Sequence, residues 1–196
     1  MLAQQGHRLV AGVDEAGRGP LAGPAVAAAV VLPTDLQASW LEMVDDSKRL
    51  TPKTRESLFT LIAQNALATG IGYAQAEEID RLGIARAVRM AMCAAVRDLS
   101  IAPDFLLIDF VRLEELPIPQ RSLTKGDRLS LSIACASIMA KVTRDRLMTS
   151  LDSVYPQYGF SRHKGYGTAE HIECLRRFGP CPAHRKSFTP VKDCVC

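Results

Sequence analysis

Residues 25–32, "AVAAAVVL", are apolar without a break and are fenced by Pro24 and Pro33. A Val/Ala run this short between prolines suits a strand in a sheet interior, and it falls far below the roughly 18 residues that span a bilayer. Just upstream, "RLVAGVDE" has the same character, and a glycine-rich stretch, "AGRGPLAGP", joins the two. The pair therefore reads as two buried strands, with a hairpin as the natural connection. The first strand ends on adjacent carboxylates, Asp14 and Glu15, directly ahead of Gly17, Arg18 and Gly19.

Thr51 and Pro52 then offer an N-cap and a first-turn proline for a helix to about Ala68, with Leu58, Leu61 and Ile62 on one face. "TGIGYAQA" reads as a third strand. Residues 77–99 carry Ile79, Leu82, Ile84, Val88, Met92 and Val96 at helical spacing. "PDFLLIDF" is a fourth strand ending on Asp109, and "PQRSLTKGD" a fifth running into Asp127. From Leu129 to about Ser153 the pattern is helical, with Ala134, Ala136, Ser137 and Ala140 small enough for close backbone packing, and more helix follows Thr168. Three early strands, then strands alternating with helices, argue an α/β chain with a mixed sheet covered by helices. No repeat, low-complexity tract or linker interrupts residues 1–196, so a single domain is expected.

With 47% apolar and 23% charged residues the chain has the composition of a globular protein with a sizeable core. "MLAQQGHRLV" lacks the regions of a secretory signal, so a cytoplasmic location is expected. In that reducing compartment the six cysteines are expected to remain thiols. A zinc site made by the C-terminal cysteines with His163, His171 and His184 is the alternative, weakened by the lack of any C-x-x-C pair. The net charge of +3 is modest, but residues 161–186 hold six basic residues (Arg162, Lys164, Arg176, Arg177, Arg185 and Lys186) against two acids. Such a segment suits a polyanionic partner, or else a solvated surface.

Asp14, Glu15, Asp109 and Asp127 each terminate or follow an apolar strand, and strand ends of one sheet can converge on one cleft. Any one of them alone reads more readily as a surface acid than as a ligand. Four together repel unless a cation neutralises them, and an all-oxygen donor set suits Mg²⁺ or Mn²⁺. Neighbouring residues on a strand face opposite ways, so Asp14 and Glu15 reach one site only if the strand stops there. Gly17 and Gly19 would permit that stop, or would simply form a hairpin turn.

The ordered segments "DEAGRGPLAGP", "DDSKRLT", "LLID", "KGD", "SIACASIMAKVTRDR", "PQYGFSRHKGYGT" and "RKSFTPV" resemble ribonuclease HII over nearly the whole chain. The resemblance implies a ribonuclease H-like fold, a five-stranded mixed sheet flanked by helices with a helical C-terminal addition. It implies an endoribonuclease that cuts the RNA strand of RNA·DNA hybrids. Incision 5′ of single ribonucleotides embedded in duplex DNA is implied too, leaving 3′-hydroxyl and 5′-phosphate ends. Carried over by position, Asp14, Glu15, Asp109 and Asp127 are the catalytic, metal-holding acids, and the chemistry they permit is two-metal-ion hydrolysis with Mn²⁺ or Mg²⁺.

The resemblance further assigns Gly17, Arg18 and Gly19 to the 2′-hydroxyl, and Tyr166 to the sugar that follows it. Lys48, Lys125, Arg185 and Ser187 are candidates for holding phosphate or supporting residues that do. Asp145 lies mid-helix between Arg144 and Arg146, where an ion pair accounts for it. Cys135 and Phe110 depart from the family pattern, which favours alanine and glycine there, and neither is expected to touch the chemistry. The tail "VKDCVC" shows no sliding-clamp motif, and a monomer acting on nucleic acid, away from membranes, is expected. Two other classes stay open: a nuclease of this fold acting on DNA junctions, which would have no use for a 2′-hydroxyl sensor, and a binding module, which would not need the acids.

Overall fold

The computed structural model describes residues 6–45, 47 and 49–194. β1 (Val10–Ala16) and β2 (Ala25–Val31) form the expected antiparallel hairpin, with Ala11 opposite Val31 and Ala16 opposite Val26. After α1 (Pro52–Asn65), β3 (Ala68–Ala74) pairs antiparallel with β2. Then come α2 (Ala76–Leu82), α3 (Ile84–Arg97), β4 (Phe105–Asp109) and β5 (Gln120–Leu123). β4 runs parallel to β1, and β5 parallel to β4, giving a five-stranded mixed sheet in the order β3-β2-β1-β4-β5. The chain continues through α4 (Gly126–Leu129), α5 (Leu131–Val154), α6 (Phe160–His163) and α7 (Ala169–Phe178), a helical C-terminal portion as expected. Among the described residues no helix is long and apolar enough to cross a membrane.

Both faces of the sheet are covered, which explains why β2 is apolar at every position: all seven of its residues are buried. On one face Ala27, Ala29 and Val31 pack with Ala91, Met92 and Val96 of α3. On the other, Ala28 and Val30 pack with Leu58 and Ile62 of α1 and with Ala136 and Ile138 of α5. α5 crosses β1 at Gly12, where a Cβ would stand 2.1 Å from the Ser132 carbonyl carbon. That contact admits no side chain, and it brings the middle of α5 over the acidic end of β1.

Four boundaries differ from expectation. α1 ends at Asn65, and Ala68, expected near the end of that helix, already opens β3. The helix anticipated over 77–99 is two helices, because Gly83 adopts φ 76 between them and serves as C-cap of one and N-cap of the next. Asp127 does not follow a strand directly: the chain turns at Lys125, in the left-handed region at φ 59, and carries Asp127 on the single turn of α4. β1 does not stop at its acids, since Asp14 and Glu15 remain paired to Ala28 and Ala27. What stops is the neighbour, whose pairing with β1 ends at Val13–Ile108.

Candidate active site

The gap left where β4 departs from β1 opens into a cleft of about 340 Å³, lined by Asp14, Glu15, Gly17, Arg18, Gly19, Asp109, Asp127 and Tyr166. Residues distant in sequence are thus gathered in one place by β1, β4, α4 and two loops. Asp14 is buried, 6% exposed, while Glu15, Asp109 and Asp127 are half-buried. Burial, and then the charges of Glu15 and Asp109, push the Asp14 carboxyl well above its ordinary range. Glu15 is likewise raised, by burial first, despite its 3.2 Å contact with Arg18. Asp109 accepts the Gly126 amide at 2.7 Å, which ties the end of β4 to the turn that carries Asp127.

Among the described residues no three His, Cys, Asp or Glu side chains are drawn tightly enough together to enclose an ion. The fit to a divalent cation therefore rests on the donors, the hard carboxylate oxygens of Asp14, Glu15, Asp109 and Asp127, and on the burial and crowding that push the Asp14 carboxyl up. A hard cation relieves both the burial and the repulsion.

The cleft includes residues that sequence reasoning passed over. Ser137, Lys141 and Arg144 line it at i, i+4 and i+7 of α5, one face of the helix. That spacing sat within a recognised segment and was the available signal. Ser47 also lines the cleft and shares a 2.9 Å hydrogen bond with Ser137. Arg55 donates to the carbonyls of Ser47 and Leu50; Lys48 lies outside the described residues.

Two buried arginines hold the loop from Gly17 to Pro24. Arg144 donates to the carbonyls of Ala22 and Pro24, and Arg185 to those of Gly17, Arg18 and Gly23. Arg185 is fully buried, and burial lowers its guanidinium to about 9. So Arg185 has no surface to offer a phosphate, and of its two anticipated roles the geometry supplies the supporting one. It also drops out of the expected basic face. Ser187 is exposed but spent on Asp80, which accepts from its amide and hydroxyl. Lys125 lies at the edge, lining a smaller hollow with Glu15, Asp109, Phe110 and Asp127.

Phe110 stands beside the acids. It lines that hollow at the mouth of the site, 66% exposed, and adopts φ 62, the left-handed region in which glycine is at ease. Asp145 does not line the acid cleft. It pairs with Lys141 at 2.6 Å and with Arg55 rather than with the flanking arginines, because one helical turn, and not adjacency, brings side chains together. The five described cysteines, Cys93, Cys135, Cys174, Cys181 and Cys194, are all free thiols.

The model of the ribonuclease HII family matches residues 11–191. Ribonuclease HII of Geobacillus kaustophilus is 57% identical over 188 residues, covering 96% of this chain and 71% of that protein. Ribonuclease HII of Dehalococcoides mccartyi is 52% identical over 195 residues, covering all of this chain and 92% of that one. The crystal structure of ribonuclease H2 from Pyrococcus horikoshii superposes with a TM-score of 0.79 at 28% identity, over 94% of this chain and 95% of that one. RNase HII in its PCNA complex from Archaeoglobus fulgidus gives 0.77 at 25% identity, over 92% and 95%. With its five-stranded mixed sheet and its matched length, the chain belongs to the ribonuclease HII family of metal-dependent endoribonucleases.

Proposed function

We propose that this ribonuclease incises the RNA strand of RNA·DNA hybrids and cuts 5′ of single ribonucleotides in duplex DNA, through two divalent ions held by Asp14, Glu15, Asp109 and Asp127. One observation carries the reading: the four acids share their cleft with Gly17, Arg18, Gly19 and Tyr166. Mg²⁺ or Mn²⁺, when bound, would polarise the scissile phosphate, lower the pKa of an attacking water and stabilise the departing 3′ oxygen. The protein supplies the placement. Gly17, at φ 94, turns the loop so that its backbone lines the cleft, where a 2′-hydroxyl finds peptide groups rather than side chains. The Tyr166 ring lies 3.9 Å from the position of a Cβ on Gly19, so a sugar seated on the loop meets the ring. Arg18 keeps one cation beside Glu15, at the rim where a phosphate would enter.

A labelled duplex with one ribonucleotide, run beside a continuous RNA·DNA hybrid, tests this directly. Wild type should cut both, each with a 5′-phosphate on the product. Tyr166→Ala removes the ring that a sugar would meet and should suffer most on the single ribonucleotide, which has only one productive register. An unchanged ratio between the two substrates would remove Tyr166 from sugar recognition, and cleavage of DNA junctions with no action on either substrate would favour the other nuclease class.

A further inference from the structure

The histidines of the C-terminal third, considered above as zinc ligands, do something else. His171 and His184 are fully buried and His163 is 9% exposed. Their hydrogen bonds admit one neutral tautomer each. The Cys181 amide donates to His184 Nδ1 at 3.0 Å, so that nitrogen bears a lone pair and the ring proton sits on Nε2. His184 Nε2 lies 3.0 Å from His171 Nε2, which must then accept. His171 in turn carries its proton on Nδ1, 2.9 Å from the Tyr166 carbonyl oxygen. Every donor in this chain points toward Tyr166. On the other side, the Gly165 amide donates to His163 Nδ1 at 3.2 Å, and His163 Nε2 donates to the Tyr158 carbonyl at 2.8 Å. The His163 ring stacks on His171 at 4.4 Å. The Tyr166 carbonyl and the amide of the preceding residue, Gly165, therefore each end on an imidazole of fixed orientation.

We propose that His184 and His171 are positioning residues for Tyr166, a tautomer-ordered relay that sets the ring against Gly19 and thereby sets selectivity for an embedded ribonucleotide. This rests on Tyr166 contacting the sugar, as proposed above. Burial keeps the pair neutral, as the relay requires: it lowers His171, and it takes His184 to about 4. A merely structural role for the same histidines would alter stability without altering the choice of substrate.

Two measurements test it. Long-range ¹H–¹⁵N correlation on histidine-labelled wild type at neutral pH should show His184 protonated on Nε2 and His171 on Nδ1; the opposite tautomer at either ring overturns the relay. His171→Ala should lower kcat on the embedded ribonucleotide on the order of tenfold more than on the continuous hybrid. His171→Asn, whose amide can still donate to the Tyr166 carbonyl, should recover most of that loss. Equal loss on both substrates, or no recovery in the Asn variant, overturns the positioning role. If the Ala variant does not fold, the tautomers and the Asn variant decide. Wild type that fails to cut the embedded ribonucleotide would bring down the proposed function and this selectivity with it, a failure distinguishable because it needs no histidine variant.

Discussion

Asp109 illustrates how a single carboxylate can be separated from its surroundings. Asp109→Asn preserves size and keeps an oxygen for the Gly126 amide, yet removes a charge from beside Asp14 and Glu15. Cleavage should be abolished, while the melting temperature in chelator should be no lower than that of wild type, since repulsion among the acids falls. A clear drop in melting would make Asp109 structural. Gly17 is the opposite case, a residue with no side chain to lose. A Cβ there would stand 2.1 Å from Arg144 Nε and 2.9 Å from the Pro24 oxygen, in a backbone at φ 94. Gly17→Ala should therefore cost about 2 kcal/mol or more in denaturant unfolding and depress cleavage of every substrate, because Arg144 must release the loop it holds. Wild-type stability in that variant would show the loop free to shift.

Among the elements, the long helix α5 does the most. It closes the core over β2, packs its backbone on Gly12 and presents Ser137, Lys141 and Arg144 to the cleft. The C-terminal segments from α6 onward depend on buried neutral histidines, which gives stability a defined pH response. His184 has an ordinary value of 6.5 and a folded value of about 4, with burial the leading cause and the neighbouring His171 and His163 adding to it. Cys181 and the Tyr158 ring are its other titratable contacts. A depressed folded value means the unfolded chain takes the proton first. The contribution is thus whole above 6.5, declines as pH falls toward about 4, and is flat below. It amounts to about 3 kcal/mol. Unfolding free energies of wild type and His184→Asn, measured across this range, should converge toward the acid end; parallel curves would mean that His184 takes up its proton in the fold as readily as in the unfolded chain.

For the whole molecule the decisive variable is the cation. A chelator should abolish cleavage, Mg²⁺ or Mn²⁺ should restore it, and Ca²⁺ should bind while supporting little turnover, because its larger radius and looser coordination do not hold reacting oxygens as tightly. Binding to the folded state alone must also stabilise it, so Mn²⁺ should raise the melting temperature of wild type and raise that of Asp109→Asn less. Full activity in chelator would end the two-metal account, and equal melting shifts would place the ion elsewhere.

The hairpin and the fourth strand were legible because their signals are local. A Val/Ala run between prolines, and a strand ending on an acid, declare themselves within ten residues. So was the position of three of the acids, Asp14 and Glu15 near the end of β1 and Asp109 at the end of β4. The clamp of Arg144 and Arg185 was not legible, because a buried arginine that donates only to carbonyls leaves no mark on composition or periodicity. Nor was the convergence of Asp14 and Glu15, which depends on where β4 leaves β1 and not on where β1 ends. Residues in sequence determined which elements form and which groups carry charge, through short-range sterics and hydrophobic patterning. Tertiary structure decided which carbonyls the arginines reach, which nitrogen each histidine protonates and which acids share a cleft, because those are settled by contacts between residues as far apart as Gly17 and Arg185.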